Sequence, residues 1–310
     1  MKRMKMHVLN DMTFEQGCEE YLRDCEARNL RSGTIKHYRD SIKQLFKYID
    51  KDSIIAEMDK STVEALVIQL RNNEEINDMS LYTYTRDFKT LLYFFMKQEY
   101  LEFFKITIPK ADKQPIETYT DADLLKLLKR PNIKQCSFNE YKTWVIVNFL
   151  LSTGVRQNSL LNIRIKEIDF DNGVVMVNVT KNRKPLLIPL NDDVLLILKE
   201  YLKYRGGGME DYLFCNVYGQ QLKKSTLYHS IYEFNRNRGV ELTGLHRFRH
   251  TFAKKWVTMG GNVVTLQKIL GHSSLAITEN YLNLLTSDIK KSVNEFNILK
   301  EFKKETIRMK

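Results

Sequence analysis

Apolar side chains recur every three or four positions through most of the first hundred residues. This period is typical of amphipathic helices that pack their apolar sides into a common core. Polar residues able to cap a helix stand at the start of each apolar run. The helices are predicted to begin near Thr13, at Ser32 or Thr34, near Ser61 and near Ser80. The pattern predicts a small four-helix domain over residues 1–109.

The helical period stops in the segment ITIPKADKQPIET, which holds two of the five prolines. We interpret residues 110–118 as a linker. Helical signals resume at Thr120, and the stretch from Tyr141 to Leu151 is apolar on nearly every side. Such a stretch predicts a buried central helix, here ending at Gly154. Arg156 then stands at the start of the next short helix.

The β-strand signal is confined to one region of the second half. Residues 168–170, the run VVMVNVT and the run LLIPL are separated by an Asp-Asn-Gly turn and a polar KNRK tip. This arrangement predicts a three-stranded antiparallel sheet. Helices fill the rest of a second domain, residues 119–310, which ends in a tail helix with an apolar stripe. The fold class expected is mainly α with a small antiparallel β-sheet (α+β).

The amino-acid composition narrows the kinds of molecule that this protein is expected to bind. The 310 residues carry a formal net charge of +11, which favours a polyanion as partner. The four cysteines form no C-x-x-C pair and no cluster with zinc spacing, so Cys18 and Cys25 are expected in the core. No stretch approaches 18 apolar residues. We therefore expect a cytoplasmic protein that uses neither metal nor membrane.

The candidate chemistry lies in four basic side chains followed by a tyrosine: Arg156, His246, Arg249, His272 and Tyr281. A phosphodiester is negatively charged and repels nucleophiles, so a side-chain oxygen that attacks it needs fixed positive charge around the phosphate. Arginine suits this task because its planar fork holds two phosphate oxygens and stays charged. Two arginines, two histidines and a late tyrosine are the groups needed to cut DNA without a metal.

The order and spacing of these residues also match a family pattern. Arg156 follows a Thr-Gly turn, residues 246–250 read H-x-x-R-H, residues 270–272 read L-G-H, and Tyr281 lies nine positions after His272. The chain resembles the tyrosine recombinases, which include phage integrases, Xer-type recombinases and transposon resolvases. The resemblance extends from about Phe14 to about Leu284. It implies a SAM-like core-binding domain for DNA followed by a catalytic domain.

The resemblance also implies a role for each residue. Tyr281 would attack the phosphate, form a 3′-phosphotyrosine and free a 5′-hydroxyl. The leaving oxygen needs a proton from a general acid, which in this family is a lysine at a β-hairpin tip. Lys181 fits that place, and Lys184 is the alternative at the same tip. His272 would hydrogen-bond a phosphate oxygen, and His246 would either do the same or take the tyrosine proton.

One position departs from the family pattern. An acidic residue often stands three places after the first arginine, and here Ser159 occupies that place. Because serine still hydrogen-bonds, we expect altered fine tuning and retained activity. His250 and Trp256 are interpreted as packing residues. The sequence has no P-loop and no G-x-G-x-x-G, so no nucleotide cofactor is implied.

The leading hypothesis is a site-specific recombinase that acts on double-stranded DNA as a synaptic homotetramer, for a mobile element. Xer-like resolution of chromosome or plasmid dimers, and a type IB topoisomerase-like nicking and closing enzyme, are alternatives. A third class, a non-catalytic DNA-binding regulator, is disfavoured by the complete set of reactive residues. Helix one begins near Thr13, so we expect no arm-binding domain before it. An accessory DNA-bending or directionality factor stays open as a partner, and the DNA target stays undefined.

Overall fold

The computed structural model describes residues 11–110, 117–180 and 184–272, together with Ser274 and Thr278. The chain divides into two compact units, residues 1–115 and 116–310. Lys181, Tyr281, most of the predicted linker and the predicted tail helix lie outside the described residues.

Over residues 11–110 the first unit contains four α-helices, α1 (Phe14–Ala27), α2 (Ser32–Leu45), α3 (Lys60–Arg71) and α4 (Asp78–Lys97). Thr13 caps α1 and forms a capping box with Gln16. Helices α3 and α4 start before the predicted serines, because Asp59 and Asn77 cap their first turns. Cys18 and Cys25 are buried in the core of this unit, as expected.

The end of the first unit reaches into the segment predicted to be irregular. Ile106 is buried in the core of the unit. The Lys89 Nζ atom donates a hydrogen bond of 2.7 Å to the Ile106 carbonyl. Ile106 is therefore fixed to the first unit by a side chain of α4, although it lies in no helix.

The second unit contains seven further α-helices among the described residues. They are α5 (Asp121–Leu128), α6 (Phe138–Thr153), α7 (Gln157–Leu160), α8 (Asp192–Arg205), α9 (Lys224–Asn237), α10 (Leu245–Thr258) and α11 (Val263–Leu270). Helix α6 is the predicted central helix and packs against α5, α8, α9 and α10. It ends at Gly154, which has a left-handed backbone with φ of 59°.

Three short strands form an antiparallel sheet in the order β1 (Ile168–Asp169), β2 (Val174–Val177) and β3 (Leu186–Pro189). The strands are shorter than the apolar runs. After Val177 the backbone leaves the ladder, and the Asn178 side-chain amide donates to Glu167 Oε1 at 2.5 Å. The sheet carries a hairpin whose tip is closed by Thr180, which donates to the Lys184 carbonyl at 2.6 Å.

Candidate active site

Arg249 lies on α10 and is only 5% exposed. Its Nη1 atom donates to the Gly154 carbonyl at 2.6 Å, and its Nη2 atom donates to the Leu270 carbonyl at 2.9 Å. These carbonyls stand at the ends of α6 and α11, where helices leave oxygens unpaired and carry partial negative charge. Two helix ends therefore hold the guanidinium group in place.

Arg156 is the N-cap residue of α7, as its place after the Thr-Gly turn predicts. Its Nη1 atom donates to the same Leu270 carbonyl at 3.2 Å, although Leu270 lies 114 positions further along the chain. One oxygen atom thus accepts hydrogen bonds from both arginines. The shared acceptor brings Arg156 and Arg249 together as a pair of fixed positive charges.

His272 lies beside this pair and is 8% exposed. Its Nε2 atom is 2.8 Å from Arg249 Nη2, and its Nδ1 atom is 2.9 Å from the Oγ1 atom of Thr278. Burial, and then the charges of Arg249 and Arg156, lower the pKa of His272 to about 4. The imidazole is therefore neutral at physiological pH.

His246 stands in the first turn of α10, one helical turn before Arg249. Withdrawal from water, and then the charges of Arg249 and Arg156, lower the pKa of His246. Burial, followed by the charges of His246, Arg249 and Arg247, lowers the pKa of His250 to about 4. Both shifts favour the neutral imidazole, which is the form that accepts a proton.

Two glycines allow the elements to approach closely around the arginines. A Cβ atom at Gly154 would lie 2.6 Å from Phe252 Cδ1 and 2.7 Å from Leu270 Cδ2. At Gly271, which has φ of 60°, a Cβ atom would lie 3.0 Å from Leu186 Cδ2. Helices α6 and α11 and strand β3 meet at these points, and any larger residue would push them apart.

Ser159, the departure from the family pattern, is buried and lies three residues after Arg156. Its hydroxyl donates to the Val179 carbonyl at 2.7 Å. Val179 lies two residues before Lys181 in the sequence, next to the hairpin tip. The serine therefore connects the helix that follows the first arginine to the base of the hairpin.

The structure brings Arg156, His246, Arg249 and His272 into one electrostatic cluster, with His250 at its edge. Arg247, the second residue of the H-x-x-R-H motif, forms an ion pair with Glu117 at 2.5 Å. Tyr281 and Lys181, the predicted nucleophile and acid, lie outside the described residues, and the alternative Lys184 is exposed.

Several of the contacts in this site are not indicated by any sequence motif. The carbonyls of Gly154 and Leu270 carry no side-chain signal at all. Thr278 was also missed, although its position three residues before Tyr281 could have drawn attention to it. Trp256, interpreted as packing, is partly buried against the core of the second unit. Its Nε1 atom donates to the Asn262 carbonyl at 3.0 Å.

The described part of the chain holds no group of three or more His, Cys, Asp or Glu side chains placed to bind a metal ion. None of its helices is both long and apolar enough to cross a membrane.

Comparison with known protein families decides the classification. The model of the phage integrase family matches residues 118–287, and that of the phage integrase SAM-like domain matches residues 13–111. The chain belongs to the phage integrase family. It is an enzyme of the tyrosine recombinase class, as its motifs predict. Its function is therefore site-specific DNA recombination.

Relatives in this family cover nearly the whole chain. The tyrosine recombinase XerA of Saccharolobus solfataricus is 28% identical over 265 residues, 84% of this chain and 85% of XerA. The tyrosine recombinase XerD of Staphylococcus saprophyticus is 27% identical over 292 residues, 90% of this chain and 97% of XerD. The similarity therefore extends through both units.

Solved structures support the fold. The Tn1549 transposon integrase, solved with transposon right end DNA, matches with a TM-score of 0.72 at 19% identity. The match covers 91% of this chain and all of that one. The XerH recombinase, solved on a palindromic difH substrate, matches with a TM-score of 0.69 at 21% identity and covers 90% of this chain and 84% of XerH. The fold is mostly helical with a small antiparallel sheet, as predicted.

Proposed function

We propose that this recombinase cuts DNA with Tyr281 as its nucleophile. The Tyr281 oxygen attacks the phosphorus of a backbone phosphate, and the bond from phosphorus to the 5′ oxygen breaks. The products are a 3′-phosphotyrosine and a 5′-hydroxyl. In the reverse step, a 5′-hydroxyl from a second strand attacks the phosphotyrosine, and the released tyrosine regains a proton. No external energy source is needed, because the phosphodiester energy is kept in the covalent intermediate.

Arg156 and Arg249 are proposed to bind the phosphate that reacts. The observation that supports this proposal is that each arginine donates a hydrogen bond to the same acceptor, the Leu270 carbonyl, so the two guanidinium groups lie side by side. A pair of fixed positive charges stabilises the extra negative charge of the five-coordinate phosphorus. The neighbouring His246 and His272 are neutral, so the cluster can also exchange protons.

Proton transfer is assigned to three further residues. Lys181 supplies the proton to the leaving 5′ oxygen, with Lys184 as the alternative at the same hairpin tip. His246 takes the tyrosine proton or hydrogen-bonds a phosphate oxygen, and its lowered pKa suits an acceptor. His272 supports the phosphate-binding cluster.

The test uses a covalent adduct as its readout. A DNA binding site is first selected by recovering, from a pool of random duplexes, those that the full-length protein binds. A nicked version of that site then traps the cleaved complex. Wild-type protein should form a denaturant-resistant adduct, and Tyr281→Phe should bind with unchanged affinity and form none. The matched control Tyr228→Phe changes an exposed tyrosine of α9 and should keep the adduct. Adducts from Tyr281→Phe would move the nucleophile to another tyrosine.

We further propose that a homotetramer carries out strand exchange on two duplexes, with the tail from Thr286 to Lys310 linking subunits. Ile289, Val293 and Phe296 recur at helical spacing in this tail. Truncation after Ser287 should leave single-site binding largely intact and sharply reduce cooperative binding and recombination. A truncated protein that recombines at the normal rate would assign the tail to its own subunit.

The biological role proposed is movement of a mobile element in the cytoplasm, with an accessory DNA-bending or directionality factor as an additional partner. Resolution of chromosome or plasmid dimers is the alternative. Adducts and relaxation of supercoiled DNA without strand exchange would indicate a topoisomerase-like activity. Sequencing the DNA beside the gene would show whether attachment sites of an element lie there.

A further inference from the structure

Thr278 is completely buried, and its hydroxyl faces the ring of His272. The Oγ1 atom lies 2.9 Å from His272 Nδ1. On the opposite side of the ring, His272 Nε2 lies 2.8 Å from Arg249 Nη2. The imidazole is therefore held between a hydroxyl group and a guanidinium group.

The chemistry of these partners determines where the ring proton lies. A guanidinium group only donates hydrogen bonds, so the Nε2 atom facing Arg249 must accept and carries no proton. A neutral imidazole keeps its single proton on the other nitrogen, Nδ1. Nδ1 therefore donates to Thr278 Oγ1, and threonine, which can both donate and accept, is suited to that place.

We propose that Thr278 is a positioning residue, which fixes the His272 tautomer whose Nε2 atom accepts from Arg249 and so orients that guanidinium group. The proposal rests on the proposed function, in which Arg249 binds the reacting phosphate. In this tautomer His272 orients Arg249, and its Nε2 atom does not donate a hydrogen bond to a phosphate oxygen. The lowered pKa of His272 is consistent with it, because protonation of Nε2 would point a proton at a fixed cation.

The location of Thr278 adds a link to the nucleophile. Thr278 lies three residues before Tyr281 in the sequence, and its hydroxyl contacts the same histidine that contacts Arg249. The hydrogen-bond chain therefore runs from Thr278, a near neighbour of Tyr281 in the sequence, through His272 to Arg249. Loss of the hydroxyl should disturb Arg249 through the histidine that lies between them.

The first experiment reads the tautomer directly. Full-length protein labelled with ¹⁵N-histidine is compared with His272→Gln, which identifies the His272 signals among the six histidines. At pH 7.5, Nδ1 should show the shift of a protonated nitrogen and Nε2 that of an unprotonated one. The opposite pattern in wild type overturns the proposal without use of any Thr278 variant.

The second experiment compares two substitutions on the nicked DNA site. Thr278→Val keeps the shape and removes the hydroxyl, and it should slow adduct formation on the order of 10- to 100-fold, the size of loss known for removing the outer hydrogen bond of a metal-bound histidine. Thr278→Ser should restore the wild-type tautomer and a rate close to that of wild type. DNA affinity should stay unchanged in both.

Thr143→Val is the matched control, because Thr143 is also buried and its hydroxyl donates to the Asn139 carbonyl in its own helix. This variant should keep both the rate and the His272 signals. A Thr278→Val protein with the wild-type rate and tautomer would refute the positioning role. If wild type forms no adduct, the proposed function fails, while the nitrogen shifts still decide the tautomer.

Discussion

The hydroxyl of Ser159 donates a hydrogen bond to the carbonyl oxygen of Val179 at 2.7 Å. This bond connects α7, the short helix that follows Arg156, to the segment after β2, two residues before Lys181 in the sequence. An acidic side chain, which the family often has at this place, would be repelled by a carbonyl oxygen unless protonated. The neutral serine therefore fits the arrangement that this chain has adopted.

Ser159→Ala should destabilise the protein by about 1 kcal/mol, because the half-buried Val179 carbonyl loses a donor. It should also slow adduct formation several-fold, since the base of the hairpin is no longer held. Urea unfolding and the nicked-site assay measure the two effects. Ser230→Ala is the control, because it removes a buried hydroxyl of α9 that bonds to Asn139. Equal rates for the two variants would contradict a role for Ser159 in the site.

Arg249→Lys should abolish detectable adduct formation while it retains the positive charge. Lysine is a single point donor and cannot reach the Gly154 carbonyl, the Leu270 carbonyl and His272 together. The lost bonds at two helix ends should lower stability by about 1–3 kcal/mol. Arg247→Lys, two residues away, changes the ion pair with Glu117 and should keep the adduct. An Arg249→Lys variant as fast as wild type would show that the fork geometry is not needed.

Gly154→Ala should destabilise the second unit by about 2–4 kcal/mol. The left-handed φ costs about 1 kcal/mol, and a Cβ atom 2.6 Å from Phe252 adds overpacking of about 1–3 kcal/mol. Gly260→Ala separates these costs, because Gly260 has φ of 82° and no heavy atom of the described residues within 4 Å of the added Cβ. The Gly260 variant should lose only the backbone contribution. If both variants lost the same stability in thermal unfolding, the side chains around Gly154 would have to move aside at little energetic cost.

Acid should weaken the folded state before the carboxylates titrate. The pKa of His272 is about 4 in the folded chain and about 6.5 when unfolded, so the unfolded chain binds more protons between these values. Stability is therefore present above pH 6.5 and falls as pH drops towards 4, with about 1 kcal/mol lost from His272 between about pH 7.5 and 5.5. His272→Gln should reduce this loss in urea unfolding, and His229→Gln, at an exposed position of α9, should not. A urea-unfolding midpoint that does not change with pH would exclude this contribution of His272 to stability.

Lys181→Ala should impair cleavage of ordinary DNA far more than cleavage of a strand whose leaving 5′ oxygen is replaced by sulfur. A thiolate leaves without a proton, so sulfur bypasses the general acid. The ratio of adduct rates on the two strands is the measurement, and Lys184→Ala is the matched control from the same tip. Equal losses on both strands would move the acid role to Lys184 or His246.

Local patterns in the sequence determined most of the secondary structure. The apolar period predicted the four helices of the first unit, and the all-round apolar stretch predicted the buried helix α6 with its end at Gly154. The resemblance of three short motifs to those of tyrosine recombinases singled out Arg156, His246, Arg249 and His272 as candidate site residues. A helical turn and a strand pleat each relate residues only a few positions apart, so a local pattern of apolar and polar residues is enough to predict helices and strands.

Tertiary structure alone decided what those residues contact. Nothing in the local pattern of charge or hydrophobicity reveals that Arg247 pairs with Glu117 while Arg249 binds two helix-end carbonyls. Nor does a pattern reveal that Ser159 bonds to Val179 or Lys89 to Ile106. Backbone carbonyls are identical in every residue, so which of them becomes a partner depends on packing between segments far apart in the chain. The periodicity shows which side chains are buried, and only the packed fold shows what they meet.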